Sequence, residues 1–522
     1  MRTLSKSKLI AFRQCPKRLW LEVHQPELRS DSAGTQASFA VGHSVGGIAR
    51  KLYDTTGTGV ELDLGVIGMS ALLNQTRELL TGRQPIFEAG FSVTIATEQA
   101  ALALADVLLP DTHGNATSWR MVEVKSSTRV KDYHRDDAAI QHYVATQAGV
   151  PLSAIAVAHI DSSWTYPGDD DYQGLLVEVD LTEEASSRAD EVNEWIRQAH
   201  EVAARAEPPA VDTSDHCDDP FECGFMTHCR EQDEALRGVV QYPVHWLPRV
   251  QAKALKAHVA SRDVRSLSDV PDNLLNATQQ RVKAHTLRNE IYFDAAGAAA
   301  DIAAHSLPAL FLDFETINYA VPRWAGTRPY QQIPFQFSVH RLLPDGSLQH
   351  AGFLDLTGND PRLAFADALL RCAQGTGPIF VYNRGFEGAR LRELAAQLPH
   401  LAAGLHAIDA RLVDLLPIAQ ARYYHPSQQG SWSIKAVLPA IAPELRYGDL
   451  AGVQDGGGAQ VAFVEASDPT TSPDRRLELR EQLWRYCRLD TFAMIRVWAH
   501  FAGSSHSINP VDDAPSIDAA RQ

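Results

Sequence analysis

The sequence predicts an α/β protein with two acid-bearing strand-and-helix domains and a helical segment between them. Three observations carry this expectation. Residues 309–317, ALFLDFETI, form an apolar strand run into which Asp313 and Glu315 are set. Residues 101–106 and 120–125 place a second acid pair, Asp106 and Glu123, at an apolar run and an alternating strand. Residues 477–501 carry the apolar spacing of a long helix. With 522 residues the chain is too long for one ordinary core, so two or three domains are expected. The expected division is 1–235, a helical connector over 236–304, a second domain over 305–502 and a disordered polar tail over 503–522.

Composition narrows the function. Apolar residues make up 45% of the chain, within the globular range. No apolar run reaches the length of a membrane span, and the first 20 residues are basic and broken by polar side chains. A cytoplasmic location with no membrane partner is expected. The net charge of −16 weighs against tight non-specific nucleic-acid binding. Local basic runs at 2–18, 125–135 and 475–488 still offer phosphate contacts. No internal repeat and no phosphate-cradling G-x-x-x-x-G-K-[ST] motif occurs, so no motor is expected.

In the amino-terminal part, Cys217, Cys223 and Cys229 are spaced C-x5-C-x5-C, and Cys15 lies about two hundred residues earlier. Thiols gathered this way in a reducing compartment point to metal rather than disulfides. Zinc favours shorter pairs, whereas four thiolates can hold an iron–sulfur cluster. Three loop cysteines without metal are the alternative. Cys372 and Cys487 sit in apolar or helical contexts and read as core thiols. Glu123 and Lys125 share one face of a strand. With Asp106 they supply what a single-metal phosphodiester hydrolase requires, two carboxylates for Mg²⁺ and a lysine that positions water and offsets developing charge. Glu88, His43 and Gln141 lie nearby in the pattern. Alone, E-x-K is common as a surface strand pair.

These residues together resemble the iron–sulfur RecB-type PD-(D/E)XK nucleases, a group that includes the AddB nuclease domain and the CRISPR-associated RecB-like exonucleases, over roughly residues 1–232. The resemblance implies a restriction-endonuclease-like fold. It implies His43, Asp106, Glu123 and Lys125 as the metal and catalytic set, with Gln141 on the following helix. It implies Cys15, Cys217, Cys223 and Cys229 as ligands of a [4Fe–4S] clasp. Two positions depart from the pattern: Ala105 precedes Asp106 where proline is usual, and Ala145 stands where tyrosine is usual.

Residues 236–300 read as short helices broken by Ser, Asp and Pro, a packing linker. Beyond them, Asp313 and Glu315 point to one face of their strand, where two carboxylates need a cation between them. Asn383 and Glu387, four apart at a helix start, can face that strand. Asp414 is a further acid. Tyr486 and Asp490 are again four apart on the late helix. The segment 453–475 reads as a loop or short hairpin. The ordered motifs resemble the tyrosine branch of the DEDD (DnaQ-like) exonucleases, an RNase H-like fold, over roughly residues 305–502. The resemblance implies two metals on Asp313, Glu315, Glu387 and Asp490, with Tyr486 orienting water. Glu387 stands where aspartate is usual.

The expectation is a metal-dependent nuclease using Mg²⁺ or Mn²⁺ and a [4Fe–4S] cluster, acting exonucleolytically on single-stranded ends, on DNA in preference to RNA. The arrangement resembles uncharacterised bacterial proteins that pair both modules and carry a carboxy-terminal domain of unknown function. A setting in DNA repair or defence, with a helicase or defence partner, rests on that resemblance. The alternatives are a non-catalytic nucleic-acid-binding or assembly protein that keeps both folds, and an RNase.

Overall fold

A computed structural model describes residues 2–96, 99–111, 118–249, 252–262 and 264–503. The polar tail, apart from Gly503, lies outside the described residues. The described chain is mixed α/β and divides into two compact units. Residues 1–238 with 319–331 form the first, and residues 239–318 with 332–522 the second. No helix among the described residues is long and apolar enough to cross a membrane.

The first unit is built on a seven-stranded sheet. Its strands are β1 (Arg2–Ser5), β2 (Val60–Glu61), β3 (Ile86–Ala96), β4 (Gln99–Asp111), β5 (Ser118–Lys125), β6 (Leu152–Ile160) and β7 (Leu176–Asp180). The order is β2-β3-β4-β5-β6-β7, with β1 parallel to the start of β4. β3, β4 and β5 run antiparallel, and β6 lies parallel to β5. Trp119 and Met121 of β5 join the main core with Ile140 and Val144 of the helix Asp132–Gln147. Period-two alternation puts Glu123 and Lys125 on that same face. The helix buries His134, Asp137, Ala138, Gln141, Val144 and Ala145. Their i, i+3, i+4, i+7 spacing is one helical face, and it carries polar groups to the acidic end of β5.

Residues 319–331 belong to this unit although they follow β9 of the other. Ala320 packs with Val45, Ile160 and Leu175. Thr327 O accepts from Tyr166 N at 2.9 Å, and Gly326 N donates to Tyr166 O at 2.8 Å. The Tyr330 hydroxyl donates to the carbonyl oxygen of Ser126, the residue after Lys125.

The second unit holds β8 (Tyr292–Phe293), β9 (Ala309–Ile317), β10 (Ile333–Leu342), β11 (Leu348–Leu354), β12 (Ile379–Val381), β13 (Leu412–Asp414) and β14 (Tyr423–Tyr424). Five of them form a sheet of order β11-β10-β9-β12-β13, antiparallel on the β10 side and parallel on the β12 side; β14 and β8 pair separately. Leu310, Leu312 and Phe314 of β9 enter one core with Phe365 and Leu391. Ala309 and Phe311 enter another with Trp498. Asp313 and Glu315 continue this second face, toward the helix Pro473–Phe501.

Two expectations change in this unit. The segment expected as a connector does not stand apart: Leu247, Leu255, Leu267 and Val282 share a core with Phe311, Tyr424 and Trp498. Within the segment expected as a loop or hairpin, Gly456–Ser467 is a helix. The glycine run reads as loop, but Asp455 caps it by accepting from Gly458 N at 2.7 Å. Ala459, Ala462, Phe463 and Ala466 then bury one helical face.

Candidate active sites and metal centres

At the end of β5, Glu123 is buried and Lys125 keeps 19% of its side-chain surface exposed. Lys125 Nζ lies 2.7 Å from Glu123 Oε1 and also pairs with Asp137. Lys6, at the start of the helix Lys6–Gln14, reaches the same two acids at 2.6 and 3.2 Å. Gln141 donates to the other oxygen of Glu123. The β4–β5 ladder runs from Asp111↔Ser118 to Val107↔Val122. One step on, Asp106 Oδ2 accepts from Val124 N at 2.7 Å, a side chain replacing a ladder partner. Glu88 has φ +59°, a left-handed backbone rare for a non-glycine residue in a strand.

Burial and then Asp106 push Glu123 up to about 7, with Lys125 and Lys6 opposing. Asp106 is raised by burial. Glu88 is raised by burial and then by Glu123. Burial works against ionising Asp137, but Lys125 and Lys6 outweigh it and hold this acid below its ordinary range.

The sequence singled out Asp106, Glu123, Lys125, Gln141 and Glu88, and the structure places all five in one hydrogen-bonded or electrostatic group. It adds Lys6 and Asp137. Lys6 was hidden in a basic amino terminus, and Asp137 in the acid pair preceding an apolar helix face. His43 does not join them. It is exposed on the helix Ala33–Tyr53, its Nδ1 2.8 Å from the Phe39 carbonyl oxygen. Val45, two residues on, is buried, and two residues turn a helix by about 200°, so His43 faces away. His43, Asp106 and Glu123 are not among the described groups whose ligand atoms come within 4.8 Å of one another.

Cys15, Cys217, Cys223 and Cys229 line one cavity, and all four are free thiols. Lys17, Arg18 and His216 line it too. Burial raises Cys217, Cys223 and, to about 11, Cys229, with the neighbouring thiols adding to each. Tetrahedral zinc would bring its sulfurs to about 3.8 Å from one another. Among the described residues no three of these sulfurs lie within 4.8 Å of one another. Four thiols with Lys17 and Arg18 beside them could hold a metal ion or a cluster.

In the second unit Asp313 and Glu315 face the helix Pro473–Phe501, on which Tyr486, Cys487, Asp490 and Thr491 are buried. Asp313, Glu315 and Cys487 bring ligand atoms within 4.8 Å of one another. Asp490 Oδ1 accepts from the Tyr447 hydroxyl at 2.6 Å. Glu387, in the first turn of the helix Arg384–Gln397, is 3% exposed, and its buried Oε2 has no hydrogen-bond partner in the protein. Asn383 caps that helix with φ +89°, a conformation asparagine tolerates. Asp414 accepts from Asn383 N, Arg384 N and Leu416 N, each at 3.0 Å. Asp414 and Asn383 thus shape the turn that presents Glu387.

Burial, then Asp490, Glu315 and Glu387, hold Asp313 well above its ordinary range. Glu315 is raised by burial and Asp490. Burial lifts Glu387 to about 8 and Asp490 to about 6. Lys435 eases the ionisation of Asp313, Glu315 and Asp490, and its Nζ lies 5.1 and 5.0 Å from the ring centroids of Tyr447 and Tyr486. Lys435 and Tyr447 carried no motif that sequence reading could isolate. Four carboxyls that resist ionising together, one with an orphaned oxygen, fit a site for divalent cations.

Residues 310–433 match a family model described as a domain of unknown function, DUF2779. A comparison with curated proteins found no match. A solved structure titled "Crystal structure of SSO0001" is similar over 40% of this chain and 78% of that one, at 12% identity and a TM-score of 0.20.

Proposed function

We propose that the protein is a metal-dependent nuclease with two phosphodiester-hydrolysing sites. The first lies in a RecB-like, restriction-endonuclease-like unit braced by a [4Fe–4S] clasp, and the second in a DEDD-type, RNase H-like unit. The observation that carries the reading is the convergence of Asp313, Glu315 and Asp490 on Lys435, with the Glu387 carboxyl acting on the first two. Bound Mg²⁺ or Mn²⁺ would activate water and offset charge on the transferring phosphate. Asp313, Glu315, Glu387 and Asp490 hold the cations. Tyr486, one helical turn before Asp490, orients the attacking water. In the first unit Asp106 and Glu123 are the cation ligands, Gln141 fixes the Glu123 carboxylate, and Lys125 positions water and balances charge. Cys15, Cys217, Cys223 and Cys229 hold the cluster. Nucleic acid, DNA in preference to RNA, is the partner.

The test is digestion of labelled single-stranded DNA and RNA by anaerobically purified protein with Mg²⁺ or Mn²⁺, at low salt because phosphate binding weakens steeply with salt. Cleavage is expected from the wild type, reduced in Asp313→Ala and in Lys125→Ala, and absent from the double variant. A wild type that cleaves neither substrate overturns the reading. The Lys6 and Lys125 ion pairs favour a second reading for the first unit alone, a nucleic-acid-binding module whose acids are already neutralised. It predicts that Lys125→Ala leaves cleavage unchanged in an Asp313→Ala background.

A further inference from the structure

Cys487 is the one member of the second-unit acid cluster that a site for Mg²⁺ does not call for. It is fully buried on the helix Pro473–Phe501, between Tyr486 and Asp490. Its Sγ lies 3.9 Å from Asp313 Oδ2 and 3.9 Å from the Asp313 carbonyl oxygen. With single oxygens of Asp313 and Glu315 it forms the one group of three potential ligands found within 4.8 Å among the described residues. The Glu387 carboxyl, whose buried Oε2 is unpartnered, lies outside that group, and its charge acts on both Asp313 and Glu315. Mg²⁺ takes hard oxygen ligands, whereas sulfur selects softer cations such as Zn²⁺ and Co²⁺.

We propose that Asp313, Glu315 and Cys487 form a mixed oxygen–sulfur site that captures a thiophilic divalent cation, Zn²⁺ in particular. This rests on the reading that these carboxylates hold cations. On capture the Cys487 S–H gives its proton to solvent as the sulfur–metal bond forms, with no change of oxidation state. Zn²⁺ then competes with Mg²⁺ for Asp313 and Glu315 and inhibits any reaction that needs Mg²⁺ there.

The test uses the intact, anaerobically purified full chain and Co²⁺ as the spectroscopic probe. Wild type is expected to gain a thiolate-to-cobalt charge-transfer band above its starting spectrum, which Zn²⁺ abolishes. Cys487→Ser is expected to lose the band and to bind Zn²⁺ at least tenfold more weakly by calorimetry. Cys372→Ser, with the other buried-context thiol changed, is expected to keep both. Should Cys487→Ser fail to fold, wild type alone decides. Calorimetry in buffers of different ionisation enthalpy is then expected to show one more proton released on binding Zn²⁺ than on binding Mg²⁺. Equal proton release, an absent band in folded wild type, or a band unchanged in Cys487→Ser overturns the inference. Cleavage with Mg²⁺ but no band overturns this site and leaves the nuclease reading intact. A band without any cleavage does the reverse.

Discussion

The two acid clusters solve one electrostatic problem in opposite ways. In the first unit Glu123 and Asp137 are bridged by Lys6 and Lys125, so the protein supplies its own counter-charge. In the second, Asp313, Glu315 and Asp490 share Lys435, which also sits over the rings of Tyr447 and Tyr486 and donates to Gln454 O at 2.9 Å, while Glu387 adds a fourth carboxyl with Arg390 near it. A self-neutralised site is assembled before any cation arrives. A site left in charge deficit disfavours ionising its acids until one does.

The sharpest way to break this comparison is to delete one acid from the deficit site. In a Lys125→Ala background, Asp313→Asn is expected to lower Mg²⁺-dependent cleavage at least ~100-fold, the scale on which even the partners of metal ligands act. Removing a lysine from the balanced site has a different signature. Lys6→Ala leaves Glu123 and Asp137 short of a cation and is expected to cost about 1–3 kcal/mol of stability, read by denaturant unfolding. Asp313→Asn, which relieves repulsion, should not destabilise the metal-free protein. Cys229→Ser tests the clasp: the broad visible absorbance at roughly 400 nm expected of the anaerobic wild type should fall.

The smallest effect is the dependence of stability on pH. Glu387, Glu123 and Asp490, raised by burial to about 8, 7 and 6, bind protons in the folded chain that the unfolded chain has already released. Their folded form is therefore favoured at low pH and loses ground as pH rises from the ordinary carboxylate range toward 8. With chelator, the melting temperature should fall by a few degrees across that window. Mn²⁺ should restore more of it at pH 8 than at pH 5, and Glu387→Gln should flatten the profile. A chelated protein that gains stability toward pH 8 would contradict the charge deficit.

What could be read from the sequence follows from which interactions are local. Asp313 with Glu315, Glu123 with Lys125, and Tyr486 with Asp490 are short-period pairs, and strand or helix geometry alone puts each on one face. Glu387 was legible through its helix start. Lys6, Asp137, Lys435 and Tyr447 reach their sites only through tertiary packing, from segments with no patterned partner. His43 failed for the complementary reason. The helical phase set by Val45 turns it to solvent. The Gly456–Ser467 helix is not legible because three glycines outweigh the cap at Asp455 and the apolar spacing behind it.

The excursion of residues 319–331 into the first unit gives the chain three crossings between units, after 238, 318 and 331. A protein cut at residue 304 would lack Ala320, which packs with Val45, Ile160 and Leu175, and Tyr330, which holds the carbonyl of Ser126 beside Lys125. Neither unit can therefore be inherited, swapped or shed by a single break in the gene. Recombination at the apparent boundary would deliver a first unit with an open wound next to its own lysine.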